Sequence, residues 1–173
     1  PLGPPRHRPI SSTPPKSGRR GDSPKRRSAT RQPLPEAGLE ETPRLTAFGE
    51  HRREDGRLPL QRITASGARS TAVLASNDLS CLGAIEALRA TGRRVPDDVA
   101  VIGFDDILEA RSHLPPLTTV RHPAFMLGYH AVLALVDAVV EKQTGEIYMR
   151  IPTQLVIRQS CGCRPEDTLA TVL

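Results

Sequence analysis

An α/β fold built on a parallel sheet, with helices on both faces, is what this sequence predicts, and two observations predict it. Short apolar runs recur at TAVLAS (71–76), VAVIGF (99–104) and QLVIRQS (154–160), and segments of helical period separate them. The run at 99–104 carries β-branched residues and no polar side chain, the pattern of a strand covered by helices on both sides.

The first 44 residues have a different texture. They hold ten of the 17 prolines and ten of the 24 Lys and Arg against four of the 19 acidic residues, so they carry about +6 and the remaining 129 residues about −1. With almost no apolar residue to bury, this segment is expected to be a disordered tail. The formal net charge of +5 therefore describes the tail, and it gives no ground for a nucleic-acid-binding surface on the folded part. Lys25, Arg26 and Arg27 form a basic cluster, but no aromatic residue interleaves with them to stack on bases. Residues 45–163 are expected to fold, and 164–173 to form a C-terminal tail.

Within the folded part, a helix over 56–66 is interrupted by Pro59, which lacks the N–H that an interior position needs. After TAVLAS, Asn77 or Asp78 is placed to cap a helix. Leu79, Leu82, Ile85, Ala87 and Leu88 recur at its period, and Gly92 stands where a left-handed terminus belongs. Val95, Pro96, Asp97 and Asp98 make a turn into the run at 99–104. Residues 123–142 open on a proline and carry a broad apolar stripe through Phe125, Val132, Val136 and Val139, which predicts a long packed helix.

Several chemistries are disfavoured. No run approaches the length of a membrane span, and the N-terminus lacks an apolar signal core, so a cytoplasmic address is expected. No G-x-S-x-G elbow is present, and Cys81 falls in an apolar helical stripe, so no nucleophilic enzyme is indicated. Cys161 and Cys163 are too close for an ordinary disulfide framework and read as reduced thiols. They lack the four-ligand company of a structural zinc, and His122 and His130 do not supply it. No metal and no cofactor is called for.

Two polar clusters end the strand runs: Ser76, Asn77 and Asp78, and then Asp105 and Asp106. In open α/β sheets ligands bind outside the carboxyl ends of the strands. An amide with donor and acceptor beside a carboxylate suits a hydroxyl-rich ligand, a sugar or nucleoside. Three readings stay open at this point: ligand contacts, a helix cap with loop carboxylates, or a divalent-cation pair at Asp105 and Asp106.

The run TAVLASNDLSCLGAIEALRATGRRVPDDVAVIGFDDI, followed by PPLTTVRHPAFMLGYHAV and QLVIRQSCGC, closely resembles the C-terminal subdomain of the sensor domain in lactose/galactose-repressor (LacI/GalR) transcription regulators. The strand-end Asn-Asp, the R-V-P-x-D-V turn, the G-F-D-D strand end and the P-P-L-T-T-V connection follow that family's order and spacing. GEHRREDG at 49–56 extends the likeness upstream.

The resemblance implies a periplasmic-binding-protein-like fold of type I and a small carbohydrate-like effector. Asp105 and Asn77 are implied as strand-end groups that hydrogen-bond the effector, with His51 where relatives set an aromatic ring against it. Leu82 and His113 are implied at a homodimer interface. The partners implied are the effector and operator DNA, the latter through a helix-turn-helix absent from this chain, with no membrane. The chain is thus expected to be a truncated sensor of a transcription regulator. The alternatives are a solute-binding protein of a sugar transporter and a non-functional remnant of a regulator.

Overall fold

The computed structural model describes residues 9–13, 28–29, 31–39, 43–48, 50–68, 70–140 and 148–163. In chain order its elements are β1 (Pro9–Thr13), α1 (Pro33–Glu36), a 3-10 turn (Pro43–Leu45), β2 (Thr46–Phe48) and α2 (Arg53–Ala65). There follow β3 (Ala72–Leu74), α3 (Asp78–Ala90), β4 (Ala100–Asp105), α4 (Leu108–Ser112), β5 (Thr118–Arg121), α5 (Ala124–Val140) and β6 (Gln154–Val156). They form one six-stranded sheet in the order β2-β1-β3-β4-β5-β6. All its pairings are parallel except that of β5 with β6, which is antiparallel.

The sheet also draws on five of the first 44 residues, Pro9–Thr13. β1 pairs with both β2 and β3, so a segment read as an unstructured tail occupies an interior place in the sheet. Composition does not see this, because an interior strand draws on main-chain hydrogen bonds from both neighbours, which any sequence can supply. Pro9 stands at the first position of the strand, where a missing N–H is tolerated. The basic cluster at 25–27 and the expected tail at 164–173 lie outside the described residues.

The core forms between α2, α3 and one face of the sheet. α3 buries nine residues, among them Cys81, Leu82, Ile85 and Leu88, and these meet Leu60, Ile63, Val73, Val101 and Leu117. Burying each such aliphatic side chain is worth about 1.5–3 kcal/mol, which is why a helix of modest amphipathicity is held so firmly. The two helices touch almost backbone to backbone. A Cβ on Gly56 would sit 1.7 Å from the Ser80 carbonyl oxygen, and one on Gly83 1.9 Å from the Arg53 carbonyl oxygen. Arg53 adds ion pairs to Glu86 on α3 and to Glu109 on α4.

Pro59 does not break α2, which runs unbroken from Arg53 to Ala65. Gly56, Leu60 and Ile63 recur on one helical face and are buried, so tertiary packing overrides the local penalty. Gly92, at φ 73°, ends α3 in the left-handed conformation its position predicts.

Two expectations of packing are corrected. In β4, Val101 and Gly103 are buried while Ala100, Ile102 and Phe104 are only half-buried, so among the described residues one face of this strand is well covered and the other is not. α5, expected to pack, buries none of its residues. Asp137 is the one charged residue over its 17 positions, so the helix is apolar nearly all round and has no polar face to orient it on the sheet.

Candidate effector site

A 2-1-3-4-5 strand order is that of flavodoxin-like doubly wound sheets, with the chain reversing its direction of growth between β1 and β3. The carboxyl ends flanking that point carry the polar groups. His51 follows β2, Ser76 and Asn77 follow β3, Asp105 ends β4, Arg121 ends β5 and His122 follows it. In a parallel sheet these ends share one edge. The sequence-predicted trio His51, Asn77 and Asp105 is therefore gathered on one side of the molecule.

Each member is held by a particular local device. His51 adopts φ 67°, an uncommon conformation for a residue with a side chain, which turns its carbonyl toward Asn77 and its ring toward Ser76. Asn77 Nδ2 donates to the His51 carbonyl at 2.8 Å, and the Ser76 hydroxyl lies 3.2 Å from His51 Nδ1. Asn77 Oδ1 accepts from the Ser80 N–H at 3.2 Å and so caps α3. The cap is real, and these bonds use one N–H and one lone pair of the amide.

Asp105 has φ 115° and a partly exposed carboxylate, with His122 Nε2 3.5 Å from its Oδ1. The His122 ring stacks on Phe104 at 6.2 Å between centroids, which fixes the imidazole against the strand. Asp106, one residue on, is fully enclosed. Arg121 Nε and Arg158 Nη2 each donate to it at 2.5 Å, and Arg111 Nη2 at 3.1 Å. Burial alone would raise the pKa of Asp106, but the hydrogen bonds from Arg158 and Arg121 outweigh it and hold the carboxyl below its ordinary value. Three guanidiniums saturate this carboxylate, so Asp105 and Asp106 do not form a cation pair.

Asp78 is likewise interior. Its Oδ1 accepts from the Thr119 hydroxyl at 2.6 Å and its Oδ2 from the Ile107 N–H at 3.0 Å, which ties α3 to β5 and to the loop after β4. A Cβ at Gly103 would come within 2.3 Å of Asp78 Oδ1, so the carboxylate needs that glycine. Burial dominates here and raises the pKa of Asp78. Burial raises that of Cys81 as well, in keeping with an inert packed thiol.

The sequence missed the roles of Asp78, Asp106, Arg121 and His122. The available signal was register: placing T-T-V-R-H beside G-F-D-D puts Arg121 opposite Asp105. Leu82 is a correction of another kind. It is fully buried in the core of this chain, so it does not reach a second subunit; the apolar period of α3 faces α2 and the sheet. His113 stays half-buried at the end of α4, its Nδ1 3.2 Å from the Pro115 carbonyl.

The family model for the periplasmic binding protein-like domain matches residues 9–161. The chain belongs to that family, in its lactose/galactose-repressor branch. It is 38% identical over 129 residues to the HTH-type transcriptional repressor PurR of Pasteurella multocida, covering 75% of this chain and 39% of that protein. It is 35% identical over 130 residues to the HTH-type transcriptional regulator CelR of Thermobifida fusca, covering 75% and 38%.

Among solved structures, a transcriptional regulator CelR–cellobiose complex superposes with a TM-score of 0.81 at 31% identity, over 90% of this chain and 47% of that one. The lac repressor dimer bound to operator and the anti-inducer ONPF superposes with a TM-score of 0.80 at 25% identity, over 90% and 46%. The chain thus spans about two fifths of the length of the curated relatives it matches. Its match begins at β1 and so takes in the strand that the tail reading had left out. No helix of the described residues is long and apolar enough to cross a membrane.

Proposed function

We propose that this chain is the effector-sensing part of a cytoplasmic transcription regulator and supplies one wall of a cleft for a sugar or nucleoside-like molecule. The observation that supports it best is the convergence of His51, Asn77 and Asp105 at the carboxyl edge of the sheet, beside the switch point. Asp105 would accept two hydrogen bonds from neighbouring hydroxyls, Asn77 would donate and accept one each, and the His51 ring would lie against the apolar face of the ligand. The reading includes operator DNA as a partner, bound through a helix-turn-helix outside this chain, and a homodimer. His113 remains in it as an interface residue and Leu82 does not. Catalysis forms no part of this reading.

Calorimetric titration of cellobiose, galactose and adenosine tests it, run on a regulator with both cleft walls and on the same protein with Asp105→Asn. Heat with at least one ligand is expected, weakened about tenfold by the substitution, the scale of one lost hydrogen bond to a charged group. Absence of heat across sugars and nucleosides would remove the reading. The chain alone is expected to bind far more weakly, because the opposing contacts are missing and the cleft cannot close.

A further inference from the structure

One motif is left unused by the effector site. Cys161, Gly162 and Cys163 follow β6, and because β6 runs antiparallel to β5, they emerge at the opposite edge of the sheet from His51, Asn77 and Asp105. The approach to this motif is rigid. The Ser160 hydroxyl donates to the Val101 carbonyl at 2.7 Å and accepts from the Thr118 N–H at 2.8 Å, and the Ser160 N–H donates to Pro116.

A turn closed by the Gly162 N–H on the Gln159 carbonyl, with Gly162 at φ 71°, then carries the two cysteines. Each sulfur lies against the other residue's main chain: the Cys163 N–H donates to Cys161 Sγ at 3.2 Å, and Cys163 Sγ lies 3.9 Å from the Cys161 carbonyl oxygen. Cys161 is half-buried and Cys163 exposed, whereas Cys81 is enclosed in the core.

We propose that Cys161 and Cys163 form a redox-active dithiol, a site of reversible oxidation to an intramolecular disulfide by small-molecule disulfides such as oxidised glutathione. Cys163, the accessible thiol, loses its proton and attacks one sulfur of the oxidant. A mixed disulfide forms and one glutathione leaves as thiolate, taking up a proton. Cys161 then loses its proton and attacks Cys163 Sγ, which closes the protein disulfide and expels the second glutathione. Two protein thiols are oxidised and one glutathione disulfide is reduced to two thiols. The hydrogen bond from the Cys163 N–H holds Cys161 Sγ beside residue 163 for this second step. Two virtual bonds of about 3.8 Å, bent at the turn, suit the roughly 4.4–6.8 Å between α-carbons that a disulfide spans.

The test exposes the full reduced chain to oxidised glutathione and follows it by intact mass and peptide mapping. The wild-type chain should lose two hydrogens, with a 161–163 link and an unmodified Cys81. Cys161→Ser should instead stop at a glutathione adduct on Cys163. A synthetic peptide spanning 158–165 should close about tenfold more slowly than the folded chain, because it lacks the turn that aligns the sulfurs. An unreacted chain, a wild-type chain that rests as a glutathione adduct, or a peptide that closes as fast as the protein would each overturn the proposal.

Discussion

Asp105 and Asp106 are identical side chains one residue apart, and their surroundings divide them. The first keeps a partly exposed carboxylate at the carboxyl end of β4, and the second is enclosed by Arg111, Arg121 and Arg158. Asp106→Asn is expected to destabilise the chain by about 2–3 kcal/mol at neutral pH. That is below the roughly 3–5 kcal/mol for breaking fully buried pairs, because Arg111 and Arg121 still reach solvent. Urea midpoints check this.

The pH dependence of that loss has a definite sign. The folded-state pKa of Asp106 is depressed, so its contribution is fully present above the unfolded value near 3.9 and fades as pH falls through the lower folded value. The gap between wild type and Asp106→Asn should therefore close on acidification below about pH 4. Asp78, whose pKa burial raises, has the opposite sign: stability falls as pH rises from the ordinary carboxyl value through the raised one.

At the scale of elements, the α2–α3 crossing depends on two missing side chains. Gly56→Ala and Gly83→Ala would each drive a Cβ into a backbone carbonyl of the partner helix, which cannot move as a side-chain tip can. Each should cost several kcal/mol, above the roughly 1–3 kcal/mol usual for overpacking, and be visible as a lost or broadened thermal transition in circular dichroism. Gly92→Ala is the control: no neighbour lies within 4 Å, and only the left-handed backbone is strained, for about 1–2 kcal/mol. Pro59→Ala should act in the other direction. It restores a helical N–H within α2 and relieves up to about 3 kcal/mol, so the melting temperature should rise. An unchanged or lower melting temperature would mean that α2 has already adapted to the ring.

At the scale of the whole molecule, the covered and uncovered surfaces differ sharply in chemistry. α5 exposes Phe125, Val132, Leu135, Val136, Val139 and Val140, an apolar surface that a monomeric soluble protein rarely leaves open. The chain is expected to self-associate as its concentration rises, and Val132→Glu with Val136→Glu should shift sedimentation toward the monomer. Both outcomes are read by analytical ultracentrifugation.

The sequence by itself determined the α/β class, the strand runs at 71–76 and 99–104, and the α3 helix with its Asn77 cap and Gly92 terminus. Each of these rests on a local signal: period, a capping side chain, or a glycine where φ must be positive. Tertiary structure decided the rest. It set β1 between β2 and β3, kept α2 helical through Pro59, buried Leu82, left α5 uncovered and gave Asp106 to three arginines. The physical reason is common to all five. A strand's neighbours, a helix's covered face and a carboxylate's partners come from residues distant in the chain, and no local pattern of side chains records which of them will meet.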